Sequence, residues 1–228
     1  LMTLECMNAF GIKVIHSPDL REYETSKQTY KPTKYKVEGD WSSASYFVAL
    51  GALCGDIKVE SLNTQSLQGD KEILSFLKEM GASVTVGKDS VIVRRSKLKA
   101  ISVDLTDCID LLPTMAVLAA VADKTSEFTG IQRARLKESD RVAAVKEGLE
   151  RMGIKVVEEK NRLAITGSMP GGAIIDTKGD HRIAMAFALL GSLTGGVIID
   201  NAECVAKTYP EFWDILKSTG GEVKLNGK

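Results

Sequence analysis

Three stretches of the chain carry no charged residue: Trp41 to Gly55, Leu111 to Ala122 and Ile183 to Leu193. Acidic residues announce each of them, Asp40 before the first, Asp107 and Asp110 before the second, and Asp180 before the third. A helix with no polar side has nothing to turn toward water, so the pattern predicts three buried helices. A second kind of helix alternates with these. Ile73, Phe76, Leu77 and Met80 recur at helical spacing among Lys71, Glu72, Lys78 and Glu79, and Val142, Val145, Leu149 and Met152 do the same further on, which predicts amphipathic helices lying on the outside.

The outer helices run into a glycine followed by alternating β-branched residues. Four segments share this pattern: Phe10-Gly11-Ile12-Lys13-Val14, Met80-Gly81-Ala82-Ser83-Val84, Met152-Gly153-Ile154-Lys155-Val156 and Thr219-Gly220-Gly221-Glu222-Val223. Gly11, Gly81, Gly153 and Gly221 are 70, 72 and 68 residues apart, a regularity that marks a repeat. Each helix is predicted to end at its glycine in a left-handed cap, with a strand after it. Short β-rich runs also follow the uncharged helices: Ile57 to Glu60, Ser126 to Thr129 and Val197 to Asp200. The unit is therefore strand, buried helix, strand, outer helix, strand, strand. Three complete units fit between residues 35 and 228, forming one layered α/β domain with the uncharged helices as its core. Residues 1–34 supply the second half of a fourth unit, read as the end of a preceding domain. The start on Leu1-Met2-Thr3 then falls inside the repeat, and its missing half is expected upstream.

Composition narrows the function classes. Lys and Arg total 30 and Asp and Glu total 30, so no net charge points to nucleic acid or an anionic membrane. Hydrophobic residues at 44% and charged residues at 26% are those of a globular chain and exclude disorder. Cys6, Cys54, Cys108 and Cys204 are widely spaced, and only His16 and His181 offer imidazoles, so neither a disulfide framework nor a metal site is expected, and a reducing cytoplasm fits. The longest uncharged run, Ile183 to Ile199, is 17 residues and contains Gly191, Ser192, Thr194, Gly195 and Gly196, so no membrane span is expected. No basic start precedes an apolar stretch, and no signal peptide is expected.

The charged residues that remain gather at the helix starts. Arg133-Ala134-Arg135-Leu136-Lys137-Glu138-Ser139-Asp140-Arg141 enters the second outer helix; Lys137 and Arg141, four apart, are expected on one face of its first turn, with Glu138 beside them. Such residues also serve as a solvated turn that complements the helix dipole. Asp180-His181-Arg182 stands before a buried helix, where unpaired N–H groups and a guanidinium together favour an anion; the alternative is an Arg182–Asp180 ion pair. Asp110, followed by Pro113, opens the middle buried helix as its N-cap or as a reactive carboxylate. Lys207 lies in a loop, Ala206 to Pro210, before the last outer helix. If the three buried helices are parallel, their N-terminal ends converge on one anion-binding surface containing an acid–base pair.

Six motifs follow in order: Glu38-Gly39-Asp40-Trp41-Ser42-Ser43-Ala44-Ser45-Tyr46-Phe47, Gln68-Gly69-Asp70, Asp110-Leu111-Leu112-Pro113, Arg135 to Arg141, Asp180-His181-Arg182-Ile183-Ala184-Met185-Ala186 and Lys207-Thr208-Tyr209-Pro210-Glu211-Phe212-Trp213. Together they resemble the 5-enolpyruvylshikimate-3-phosphate synthases (3-phosphoshikimate 1-carboxyvinyltransferases). The resemblance implies an enolpyruvyl-transferase (EPT/RTPC-like) inside-out α/β barrel of βαβαββ repeats. It also implies that the chain is the C-terminal portion of a protein about twice as long, monomeric when whole, with residues 35–228 facing an N-terminal domain of the same enzyme.

The implied reaction transfers the enolpyruvyl group of phosphoenolpyruvate to the 5-hydroxyl of shikimate 3-phosphate and releases phosphate, with no cofactor and no metal. By resemblance, Asp110 is the base near the 5-hydroxyl and Glu138 the acid at the methylene carbon, while Lys137 reaches both substrates. Arg141, Arg182 and Lys207 cradle the carboxylate and phosphate of phosphoenolpyruvate. Arg133 stands where several members carry an asparagine on the phosphosugar, and Thr208 replaces a frequent serine. The upstream phosphosugar motifs have no counterpart here, so the isolated chain is expected to fold but not to catalyse at a useful rate. The alternatives are an enzyme acting on UDP-N-acetylglucosamine and a non-catalytic interaction module, in which the same cations would be scattered over the surface.

Overall fold

The computed structural model describes residues 1–225. Three helices form the centre: α2 (Trp41–Cys54), α4 (Leu112–Ala119) and α6 (His181–Thr194), free of charged residues except for Arg182 at the start of α6, with α1 (Met2–Ala9), α3 (Ile73–Glu79), α5 (Arg141–Arg151) and α7 (Phe212–Ser218) outside them. Every residue of α4 is buried, as are Trp41 and Ala44 to Leu53 of α2 and Ile183 to Leu190 of α6. Each pair of these three helices is in contact. They run parallel. Ser42 and Tyr46 near the start of α2, Asp110 just before α4 and Arg182 at the start of α6 share hydrogen bonds, while Leu53, Val121 and Leu193 at the opposite ends border one cavity. Fully burying each Leu, Met or Phe contributes about 1.5–3 kcal/mol, so this bundle is the main source of stability.

The sheets wrap the bundle. β3 (Ile57–Glu60), β4 (Ser83–Val86) and β5 (Ser90–Arg94) form an antiparallel sheet ordered β3-β5-β4. β6 (Ser102–Asp104), β7 (Thr125–Thr129), β8 (Lys155–Glu159) and β9 (Arg162–Thr166) form the largest, ordered β6-β7-β9-β8, in which the β6–β7 pair is parallel and the other two are antiparallel. β10 (Ile174–Asp176) and β11 (Ile198–Asp200) make a parallel pair. Helices at the centre and strands outside make this the inside-out α/β architecture expected from the repeat.

Only the middle repeat is complete among the described residues: β6, α4, β7, α5, β8 and β9. Residues 35–39 form no strand, which corrects the expectation that the first unit is complete; residues 221–225 after α7 form none either, and the end expected for the third unit, residues 226–228, lies outside the described residues. A strand persists only where a neighbour takes up its N–H and C=O groups, and among the described residues neither 35–39 nor 221–225 enters a strand pairing. The glycine caps follow the expected chemistry at Gly11, Gly81 and Gly153, all at positive φ; in the last copy Gly220 rather than Gly221 adopts that conformation. After Gly11 the expected strand at 12–14 is displaced to β1 (Ile15–His16), paired with β2 (Tyr23–Glu24). α1 buries no residue, and Ile12 is the one buried residue in 1–39.

Candidate functional site

Local sequence places the charged groups before packing brings them together. Asp40 caps α2, accepting from the N–H groups of Ser42 and Ser43, Asp140 caps α5 through Ala143 N–H, and Asp180 caps α6 through Arg182 N–H. These caps satisfy donors that a helix start leaves unpaired. Asp110 is different. It lies in a 3-10 turn, Ile109–Leu111, and caps nothing, since the residue before α4 makes no side-chain cap and Pro113 occupies its first turn. Its carboxylate is left to other partners.

Those partners converge on Arg141, whose side chain is 1% exposed. Its Nε donates to Asp180 Oδ2 at 2.8 Å, Nη1 to Asp110 Oδ1 at 2.7 Å and Nη2 to Glu138 Oε2 at 2.6 Å. A buried guanidinium persists only with such complete pairing, because removing it from water is costly. Lys137 Nζ reaches the same Asp110 Oδ1 at 3.0 Å, Arg182 Nη2 reaches Asp110 Oδ2 at 3.3 Å, and Lys207 Nζ reaches Glu138 Oε1 at 3.0 Å. Ser139 donates to Asp180 Oδ2 at 3.0 Å. Arg182 also donates to the hydroxyl oxygens of Ser42 and, at 3.4 Å, Tyr46. The four cations Lys137, Arg141, Arg182 and Lys207 are thus gathered at the N-terminal ends of the buried helices, not scattered.

Two expectations about this cluster are corrected in detail. α5 begins at Arg141, so Lys137 and Glu138 precede the helix rather than sharing its face, and the turn between the 3-10 segment Gln132–Leu136 and α5 brings Lys137 and Arg141 onto one oxygen. Arg182 pairs with Asp110, and Asp180 with Arg141, not with each other as the alternative reading had it. Arg133 is exposed, donates to the Thr106 carbonyl and joins none of these ion pairs.

The carboxylates are tuned apart. Burial pushes Asp110 up, but the charge of Arg182, the Lys137 hydrogen bond and the charge of Arg141 outweigh it and hold the group below the usual range. Burial also acts on Glu138, yet the Lys207 hydrogen bond, a backbone hydrogen bond and the Arg141 charge bring it down to about 2. Asp70, in the 3-10 turn Gly69–Glu72 before α3, goes the other way: burial raises it despite the nearby charge of Arg182 and a hydrogen bond from Ser42. Asp70, Ser42 and Tyr46 lie within the sequence motifs, yet nothing in the sequence singles them out. Their role comes from contacts across repeats.

An α/β domain whose buried helices bring cations and acids of opposed tuning to one point has the form of an enzyme that handles anions. The chain belongs to the EPSP synthase (3-phosphoshikimate 1-carboxyvinyltransferase) family, whose sequence profile matches residues 1–216. It is 51% identical over 222 residues to a 3-phosphoshikimate 1-carboxyvinyltransferase of Dehalococcoides mccartyi, covering 97% of this chain and 53% of that protein. A protein of the same description from Methanospirillum hungatei is 42% identical, with 95% and 52% covered. An EPSP synthase structure from Acinetobacter baumannii superposes with a TM-score of 0.84 at 26% identity, over 97% of this chain and 54% of the other. The enolpyruvyl transferase NikO from Streptomyces tendae shares the fold, with a TM-score of 0.74 at 16% identity over 98% of this chain and 53% of its own. The chain spans about half the length of the curated relatives it matches.

Proposed function

We propose that this chain forms one side of an enolpyruvyl-transfer site, and that a polypeptide of the relatives' length containing it moves the enolpyruvyl group of phosphoenolpyruvate onto the 5-hydroxyl of shikimate 3-phosphate. The observation that carries this reading is the hub at Arg141, where Asp110 and Glu138, the two carboxylates with assigned proton roles, hang on one buried guanidinium with Lys137, Arg182 and Lys207 around them.

Asp110, ionised at neutral pH, accepts the proton of the 5-hydroxyl as its oxygen bonds to C2 of phosphoenolpyruvate. Glu138 delivers a proton to C3, so the C2–C3 double bond becomes single and a tetrahedral intermediate forms. The Glu138 carboxylate then takes a proton back from C3, which re-forms the double bond as the C2–O bond to phosphate breaks and phosphate leaves. Arg141, Arg182 and Lys207 hold the anionic ends of phosphoenolpyruvate, and Arg141 also keeps both carboxylates aligned. A carboxyl held at about 2 is a poor proton donor, so the reading requires Lys207 to leave Glu138 for the ligand; the anion's own charge then raises the proton affinity of Glu138.

The acceptor's other contacts are assigned to the part of the relatives' length that this chain does not span, and Arg133 to the acceptor's phosphate. The free thiols Cys6, Cys54, Cys108 and Cys204 are compatible with a cytoplasmic setting.

Phosphate release tests the proposal. The 228-residue chain is expected to show no turnover comparable to the long form, which uses shikimate 3-phosphate and not UDP-N-acetylglucosamine. Comparable turnover by the short chain, or preference for the UDP-sugar, overturns the reading.

A further inference from the structure

Glu38 lies just before α2 and, among the described residues, forms no salt bridge, although the charge of Lys71 acts on it. Its carboxylate accepts from Asn63 Nδ2 at 2.6 Å, from the Ser66 hydroxyl and from Gln68 Nε2 at 2.7 Å. All three donors are neutral and belong to one loop, residues 63–68. In contrast, Asp110, Glu138 and Asp180 are each held by lysine or arginine. A carboxylate satisfied by neutral donors fixes the position of those donors rather than balancing a charge.

Gln68 carries that position onward. Its Nε2 also donates to the Gly39 carbonyl at 3.0 Å, and its Oε1 accepts from the Trp41 N–H at 2.8 Å. It therefore straddles Asp40, the cap of α2, and supplies a partner to one of the donors that the first turn leaves open. The indole of Trp41 donates to the Asn63 carbonyl at 3.0 Å, closing the loop onto the same turn. The next residue, Ser42, presents its hydroxyl to the guanidinium of Arg182.

The geometry points to Glu38 as a positioning residue for the anion-binding guanidinium of Arg182: Glu38 fixes Gln68, Gln68 fixes the first turn of α2, and that turn presents Ser42 to Arg182. The inference rests on the reading of Arg182 as a substrate-binding group and deepens it. Glu38 itself touches no reacting atom.

The test is a double-mutant cycle in the 228-residue chain, titrated with phosphoenolpyruvate at low salt, together with the ligand-free NMR signal of the Arg182 Nε–H. Glu38→Gln keeps the shape and replaces an acceptor by a donor facing the loop, so it is expected to weaken binding roughly tenfold. Arg182→Lys is expected to weaken it at least as much, and the double variant to be no weaker than Arg182→Lys alone. In the ligand-free spectrum Glu38→Gln shifts the Arg182 signal and leaves that of Arg162, in the distant β9, in place. Additive losses in the cycle, or an unmoved Arg182 signal, overturn the positioning role. If Arg182→Lys binds like the parent chain while the Arg182 signal still moves in Glu38→Gln, the positioning role stands and the substrate-binding reading of Arg182 fails instead.

Discussion

His181 is 2% exposed, and neither of its ring nitrogens has a hydrogen-bond partner among the described residues. Burial is the largest influence on it and lowers its proton affinity; the charge of Arg182 adds to this, against Asp180 and Glu138, and the group lies below its ordinary 6.5. Above that value the ring is neutral in both the folded and unfolded chain. As pH falls below it, the unfolded chain takes up a proton that the folded one refuses, so stability is lost on acidification until the folded value is reached, by up to about 1.4 kcal/mol per pH unit. Urea unfolding between pH 7.5 and 5 is expected to show this loss in the parent chain and not in His181→Phe. An equal slope in both would place the responsible proton elsewhere. At this scale the sequence was informative about residue types and less so about partners. The acids and bases before each buried helix could be read directly, but the exchange in which Asp180 takes Arg141 while Arg182 takes Asp110 depends on side chains separated by 39 and 72 residues.

Among the elements, close helix packing makes two glycines differ in kind. A Cβ at Gly148 on α5 would stand 2.3 Å from the Phe187 ring on α6, whereas one at Gly167, after β9, would stand 2.0 Å from the Ala122 carbonyl oxygen. A ring in a packed core can tilt; a backbone carbonyl moves only with its chain. Gly148→Ala is expected to cost about 1–3 kcal/mol, the usual range for overpacking, and Gly167→Ala more than that, both measured by denaturant unfolding. The reverse order would mean that the turn after α4 is softer than its burial indicates. The elements themselves were well marked, because absence of charge identifies a buried helix without any knowledge of its neighbours: α2, α4 and α6 fall within the stretches read from the chain, apart from one or two residues at the ends. Strands were less legible. Whether residues 35–39 or 221–225 become strands depends on a neighbouring segment, which hydrophobic alternation cannot supply.

For the whole molecule, the repeat explains why a chain of no net charge holds a concentrated site. Each unit places charged residues at the start of its buried helix, and the parallel packing of three such helices collects them at one end, where acids and cations pair with one another. Residues 1–37 stand apart from this arrangement, with no residue of α1 buried and β1–β2 a two-residue ladder. The uneven distribution of burial has a consequence in time. Amide deuteration should label α1 and the β1–β2 hairpin within the first sampling points, since opening them uncovers almost no apolar surface, while the amides of α4 should label only when the entire chain unfolds. A protease added to the folded chain should accordingly clip before Glu38 and leave the three-helix core intact. Labelling of α4 at the pace of α1 would show that the centre of the molecule opens locally and that its buried helices do not act as one cooperative unit.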